Sequence, residues 1–263
     1  MDLGLKNRVA MVTGSSRGIG KAIATSLASE GARLVMCARG RTSLEAAAEE
    51  IREATRTDAL AVVADVSRRE DVTELVDKTM ETYSRIDVLV NNTGGPPPKL
   101  FLETSQKDWQ EAVELLLMSV INLAQQVTPY MKTQGWGRII NMTSFAAKQP
   151  AERLVLSNSI RAGILGLTKT MSDELAQHGI LVNAVCPGWT LTDRVATLAS
   201  STAALTNRTT EDIVKEWESR IPLRRLARPT EIADVVTFLA SERASYMTGS
   251  VISVDGGFTR SLL

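Results

Sequence analysis

The sequence holds two cysteines and one histidine in 263 residues, too few for a disulfide framework or a cysteine–histidine metal site. Cys37 and Cys186 each lie inside an apolar run with no second cysteine or histidine beside them, so buried free thiols are expected and no metal ligand is assigned. Charge of one sign is lacking too, with 30 Lys and Arg against 30 Asp and Glu. Aromatics make up only 4% of the residues and no basic stripe is interleaved with them, which speaks against a nucleic-acid partner. No apolar run approaches the roughly 20 residues that cross a bilayer. Strand-like sequence starts within the first ten residues, leaving no space for a signal peptide, so a soluble cytoplasmic protein is expected.

What is present is organised around one stretch, RVAMVTGSSRGIG, at 8–20. Val9 to Val12 form an apolar run of strand length, Thr13 to Gly20 turn, and KAIATSLASEG follows as an amphipathic helix. In such a unit Gly14 permits the tight turn, Gly18 leaves room for a phosphate, and Gly20 lets helix and strand pack closely. A pyrophosphate would sit on the helix N-terminus, where free amides and the helix dipole both favour an anion.

Further apolar runs of strand length recur at 32–38, 59–66, 86–92, 138–144, 180–187 and 250–256, separated by amphipathic stretches such as TSLEAAAEEIREATR and TEIADVVTFLASER. Most are continuously apolar, as strands covered on both faces must be, which predicts a parallel sheet of about seven strands. No linker, repeat or low-complexity tract interrupts the alternation. The predicted fold is α/β, a single doubly wound Rossmann domain over 1–263.

The end of the second strand bears on cofactor choice. An acidic residue there would bond the ribose hydroxyls of NAD, whereas this chain has Ala38, Arg39 and Arg41. With Arg17 in the glycine turn as another guanidinium, NADP(H) is favoured over NAD(H), because guanidinium matches phosphate geometry. The alternative is that Arg39 and Arg41 are ordinary surface charges.

Thr13-Gly14-Ser15-Ser16-Arg17-Gly18-Ile19-Gly20 resembles the TGxxxGxG motif of the short-chain dehydrogenase/reductase family, and Asn91-Asn92-Thr93-Gly94 its NNAG motif, with Thr93 for alanine. Asp65-Val66 matches the family's adenine-contacting position. Pro187-Gly188-Trp189-Thr190-Leu191-Thr192 resembles the PGxxxT segment that holds the nicotinamide carboxamide, and Val254-Asp255-Gly256-Gly257 resembles the closing strand. The resemblance runs from about Leu3 to Gly257 and is nearest to proteins labelled 3-oxoacyl-acyl-carrier-protein reductases. It implies a cofactor site of Gly14, Ser16, Arg17, Gly18, Ile19, Gly20, Arg39, Asp65, Val66, Asn92, Gly94, Arg161, Pro187, Gly188, Thr190 and Thr192. It also implies a homo-oligomer, dimer or tetramer, built on the fourth and fifth helices and the last strand.

The catalytic positions depart from that family. Its serine is kept as Ser144, but where a Tyr-x-x-x-Lys pair should open the fifth helix the chain reads Ser157-Asn158-Ser159-Ile160-Arg161. Counting from Trp109, the family asparagine becomes Leu116. A phenol of pKa roughly 10 can donate a proton once a cation lowers it; an aliphatic hydroxyl is a far weaker acid, and Arg161 does not cycle a proton at ordinary pH. Loss of a general acid is worth about 10² to 10⁴ in rate, a slowing short of abolition. Ser144, Ser157 and Arg161 are the candidate catalytic set.

Other residues stay open. Tyr83, Tyr130, Tyr246 and His178 lie outside segments that should reach the nicotinamide. Lys148 is a candidate cation near a substrate carbonyl or a solvent-facing loop lysine. Asn158 could cap a helix or bind substrate. Gly95-Pro96-Pro97-Pro98 reads as a stiff wall of the substrate pocket or a stiffened connection, residues 191–221 as a mobile substrate lid, and Trp217 as a residue packed over the substrate or in the core of an amphipathic helix. An NADP(H)-dependent carbonyl reductase or alcohol dehydrogenase acting on a small carbonyl or alcohol is the leading reading. The alternatives are a catalytically weak or inactive nucleotide-binding regulatory module and a lyase- or isomerase-like reaction on the same scaffold.

Overall fold

The computed structural model describes residues 1–261. Seven parallel strands form one sheet, β1 (Val9–Thr13), β2 (Arg33–Ala38), β3 (Ala59–Val63), β4 (Val88–Asn91), β5 (Gly137–Met142), β6 (Ile180–Pro187) and β7 (Val251–Val254), in the order β3-β2-β1-β4-β5-β6-β7. The strand expectations hold, including the full 180–187 run, with the other ends shifted by up to three residues.

Successive strand side chains face opposite sides, so one short run feeds two cores. Ala10 and Val12 join Ile23 and Leu27 of α1 (Gly18–Ser29) and Ile232 and Leu239 of α9 (Pro229–Ala240). Val9 and Met11 join Val72 and Leu75 of α3 (Arg69–Tyr83) and Leu123 and Val127 of α5 (Ser119–Gln134). Helices on both faces explain why the strands read as continuously apolar. Cys37 and Cys186 are buried free thiols within it, as expected. Among the described residues no helix is long and apolar enough to cross a membrane.

The sheet order reverses between β1 and β4, and their C-terminal ends open the crevice where a doubly wound sheet places its ligand. One correction concerns helix count. The run expected as the fourth helix is split into α4 (Gln106–Val113), a π-helical turn at Glu114–Met118, and α5, so the helix bearing Ser157 and Arg161 is the sixth, α6 (Val155–Leu175). The stretch read as a lid forms two helices, α7 (Asp193–Thr206) and α8 (Thr210–Arg220). Thr192 and Thr209 cap them through their hydroxyls, and Ala199, Ala203 and Ile213 give the pair a small core of its own.

Candidate active site

The glycine turn is held by its neighbour strand. Thr13 Oγ1 donates to the Asn92 carbonyl at 2.7 Å, and Asn92 Nδ2 donates to the carbonyls of Thr13 at 3.1 Å and Gly14 at 3.3 Å. The Asn92 amide is thereby spent on shaping the turn. A Cβ at Gly20 would meet the Gly14 carbonyl oxygen at 2.2 Å, so only glycine lets α1 start this close to β1. Gly18 has φ +56 and opens α1 with no side-chain cap and no acidic residue in its first turn, leaving the first amides available to an anion. A groove of about 690 Å³ has one end here, between Ser16, Arg17 and Gly18 and the facing Leu191, Thr192 and Asp193, and continues along α1 to Ser29, Glu30 and the start of α9, with none of Arg39, Asp65, Gly94 or Arg161 in its lining. Arg17 Nη1 spans it to Asp193 Oδ2 at 3.4 Å, both side chains largely in solvent. This cradle, uncapped, opened by glycine at 14, 18 and 20 and rimmed by a guanidinium, fits a dinucleotide phosphate.

At the end of β2 Arg39 is three-quarters exposed, with Nη1 3.9 Å from Asp65 Oδ2. Asp65 Oδ1 accepts from the amide of Ser67 at 3.1 Å and its hydroxyl at 2.7 Å, which fixes the turn after β3 beside buried Val66. Across the crevice, Gly188 follows Pro187 where a Cβ would lie 2.6 Å from Asp255 Cα. The buried Thr190 hydroxyl donates to the Gly188 carbonyl at 3.0 Å, and Thr192 caps α7. Ile19 packs against the α1 side of the sheet.

The candidate catalytic residues come together around Arg161. Its Nε donates to Ser157 Oγ at 3.1 Å, Nη1 to the carbonyls of Met142 at 3.2 Å and Thr143 at 3.0 Å, and Nη2 to that of Gly94 at 3.3 Å. The guanidinium thus ties one turn of α6 to the end of β5, directly before Ser144, and to the NNAG-like loop. Ser144 Oγ accepts from the Ala146 amide at 3.1 Å, as Ser157 Oγ accepts from Arg161, so each hydroxyl keeps its own proton to donate elsewhere. Arg161 is only 7% exposed, and among the described residues no carboxylate pairs with it. Burial pushes its pKa down to about 10, with the Arg194 charge adding to the effect; it stays protonated near neutrality.

Leu116 lies in the middle of the π-helical turn, 1% exposed, packed with Ala112, Leu156 and Ile160. The asparagine position of the family is therefore an apolar plug against the turn of α6 that carries Ser157. Asn158 is a loop fastener, its amide exchanging two hydrogen bonds with the Ala151 backbone at 2.9 and 3.2 Å. Lys148 leans on Ser253 of β7, Nζ to Oγ 3.5 Å. Tyr246 is fully exposed and Tyr83 is buried at the end of α3, so neither supplies a phenol to this site.

Sequence reasoning passed over two features. Trp189 stacks on Trp217 with centroids 4.1 Å apart and planes at 6°, while Phe145 tilts against Trp189 at 5.1 Å, forming an aromatic roof between the residue after Ser144 and α8. Arg194 lies in the first turn of α7, where a helix dipole disfavours a cation, and donates to the Pro96 carbonyl at 2.5 Å. A cation at that position was the one available signal.

Comparison with known proteins agrees with this architecture. The sequence profile of a family described as enoyl-(acyl carrier protein) reductase matches residues 14–259. The chain is 38% identical over 252 residues to the 3-oxoacyl-(acyl-carrier-protein) reductase FabG of Staphylococcus epidermidis, covering 95% of this chain and 98% of that protein. To the FabG of Aquifex aeolicus it is 37% identical over 257 residues, 98% and 99% of the two chains. The L-sorbose reductase of Gluconobacter frateurii, solved with NADPH and L-sorbose, superposes over 100% of both chains with a TM-score of 0.95 at 35% identity.

Proposed function

The chain belongs to the short-chain dehydrogenase/reductase family of oxidoreductases, and from that premise we propose that it is an NADP(H)-dependent carbonyl reductase, or the reverse alcohol dehydrogenase, in which Ser144 is kept while the Ser157 hydroxyl stands in for the usual phenol and the buried Arg161 for the ammonium. The observation that carries the reading is the Arg161 cluster, a cation and two free hydroxyl protons gathered at the C-terminal ends of β4 and β5.

When bound, NADPH supplies the hydride that reduces the carbonyl carbon. Gly14, Gly18 and Gly20 with the α1 amides and Arg17 would hold its pyrophosphate, and Arg39 its ribose phosphate beside Asp65 and Val66. The Pro187–Thr192 segment, Gly94 and Arg161 would hold the nicotinamide half. Preference for NADP(H) rests on Arg39 at the β2 end and on the NADPH bound in the sorbose reductase, while Arg41 pairs with Glu45 at 3.2 Å. Ser144 and Ser157 donate hydrogen bonds to the carbonyl oxygen, and the Arg161 charge stabilises the negative charge growing there. Neither serine is acidic enough to give up its proton outright, so the proton comes from water, with Ser157 Oγ as its hydrogen-bonded port of entry.

NADPH consumption by the purified protein across a carbonyl panel that includes 3-oxoacyl thioesters, with binding titrated in the same buffer, tests this. Turnover that collapses in Ser144→Ala and Arg161→Ala supports it. The apolar plug at Leu116, which lines the place of the family asparagine, favours a second reading: a nucleotide-binding module with little turnover. Tight binding without turnover in either direction, restored in part by Ser157→Tyr with Arg161→Lys, decides for that one. Assembly as a dimer or tetramer is part of the proposal and is read by light scattering.

A further inference from the structure

Arg161 and Arg194 converge on one short loop. Arg161 Nη2 donates to the Gly94 carbonyl and Arg194 Nη2 to the Pro96 carbonyl, two residues on, and the Arg194 guanidinium covers Gly95, where a Cβ would lie 3.0 Å from Nη2. Arg161 is buried and Arg194 half-buried, and burial lowers the pKa of both. Among the described residues no carboxylate forms an ion pair with either. Asp193, next to Arg194 in the chain, turns to Arg17 on the other side of α7, and Asp255 is occupied by the amides of Gly257 and Thr259. A buried guanidinium and a half-buried one, set against neutral carbonyls on the same loop, call for an anion. The prolines at 96–98 offer no amide to receive one, which leaves the guanidiniums as the charged donors on that side of the loop.

On the reductase reading above, we infer that the substrate is an oxo acid, its carboxylate received by Arg194 and its carbonyl oxygen lying nearer Arg161 and the two serines. Gly94 and Pro96 are two residues apart, a span of roughly 7 Å at most, which suits a carboxylate one or two carbons from the reacting carbonyl. Guanidinium matches a carboxylate with paired donors, and the second cation beside it makes a neutral ketone the poorer ligand. Phosphate on the cofactor is the other source of negative charge in reach, and the test separates the two.

The probes are acetoacetate and 2-oxobutanoate, each beside its methyl ester. The acids are expected to exceed their esters about 10- to 100-fold in kcat/KM, the range of one charge-assisted interaction. Calorimetric titration of acetoacetate into the cofactor-free protein reads the same subsite without turnover. In Arg194→Met the acid-to-ester ratio should fall at least 10-fold and acetoacetate binding should weaken by a similar factor, while Arg194→Lys recovers part of both. Equal handling of acid and ester by the unaltered protein overturns the inference. So does an Arg194→Met variant that keeps its preference for the acid but loses 10-fold in NADP⁺ affinity, since the anion would then be the cofactor's. Acetoacetate binding that depends on Arg194, with no carbonyl reduced, sinks the reductase reading and leaves the carboxylate subsite standing.

Discussion

Replacing Arg161 by methionine should change the stability of the ligand-free protein by no more than about 2 kcal/mol, an unusual expectation for a buried residue with four hydrogen bonds. Burial, with the Arg194 charge adding to it, lowers the guanidinium to about 10, which corresponds to unfavourable free energy on the order of 3 kcal/mol in the folded state. Below pH 10 both folded and unfolded chains carry this proton and the penalty is constant. Above about 10 the folded chain gives up this proton before the unfolded one does, so this residue's contribution rises with pH. Methionine removes the penalty and buries apolar surface, against the loss of bonds to Ser157 Oγ and the carbonyls of Met142, Thr143 and Gly94. At about 1 kcal/mol for each of those bonds, the gains and losses cancel to within about 2 kcal/mol. Asp87→Ala supplies the contrast. That carboxylate is fully buried, accepts from the Val9 amide, and pairs with Arg8 and Arg85, so its removal should cost about 3 kcal/mol or more. Urea unfolding of the two variants beside the parent reads both values. A loss in Arg161→Met as large as that in Asp87→Ala would refute the account of Arg161 as an uncompensated charge.

Other expectations follow from single contacts. Gly20→Ala drives a Cβ into the Gly14 carbonyl at 2.2 Å; NADPH binding should be lost and the melting temperature lowered, which calorimetry checks. Leu116→Asn exchanges a plug that is 1% exposed for an unpartnered amide and should cost about 3 to 5 kcal/mol in urea unfolding without restoring turnover. Arg39→Asp should reduce the preference for NADPH over NADH by about 10- to 100-fold in titrations, and unchanged relative affinities would remove Arg39 from phosphate recognition. Burial, with Asp65 and Asp71 adding to it, pushes the Cys37 thiol up to about 12, so the native protein should resist maleimide at pH 8 until unfolded. Its folded pKa exceeds its unfolded one, so its contribution to stability falls as pH rises from 9 towards 12; Cys37→Ala should flatten that decline.

The fold was legible because a parallel sheet covered on both faces writes its strands as unbroken apolar runs; ILVNAVCP is β6 from its first residue to its last. The glycine turn was legible for a steric reason, since Gly14 and Gly20 sit where a side chain cannot. The candidate site was legible only in part. Ser144, Ser157 and Arg161 could be placed by spacing, but that one guanidinium would bind three carbonyls and a hydroxyl depends on β4, β5 and α6 meeting, which no local pattern encodes. Asn158 offered two readings from sequence because its Ala151 partner is set by loop geometry. Arg194 escaped notice, and Trp217 was singled out without its Trp189 partner, for the same reason: α7 and α8 fold back over the crevice, and periodicity within a helix says nothing about where the helix is carried.

The π-helical turn at Glu114–Met118 has a consequence in helical phase. Each residue advances an α-helix by about 100°, and a π-helical turn holds one residue more than the regular turn. The stripe of α4 and the stripe of α5 are therefore rotated against each other by about that angle. Ala112, at the end of α4, packs with Leu116 against Leu156 and Ile160 of α6, whereas Leu123 and Val127 of α5 face the sheet. One continuous run of chain thus serves two cores pointing in different directions. Deleting any one residue from 114–118 would give a straighter and more regular helix, and would turn one of those faces away from its partner.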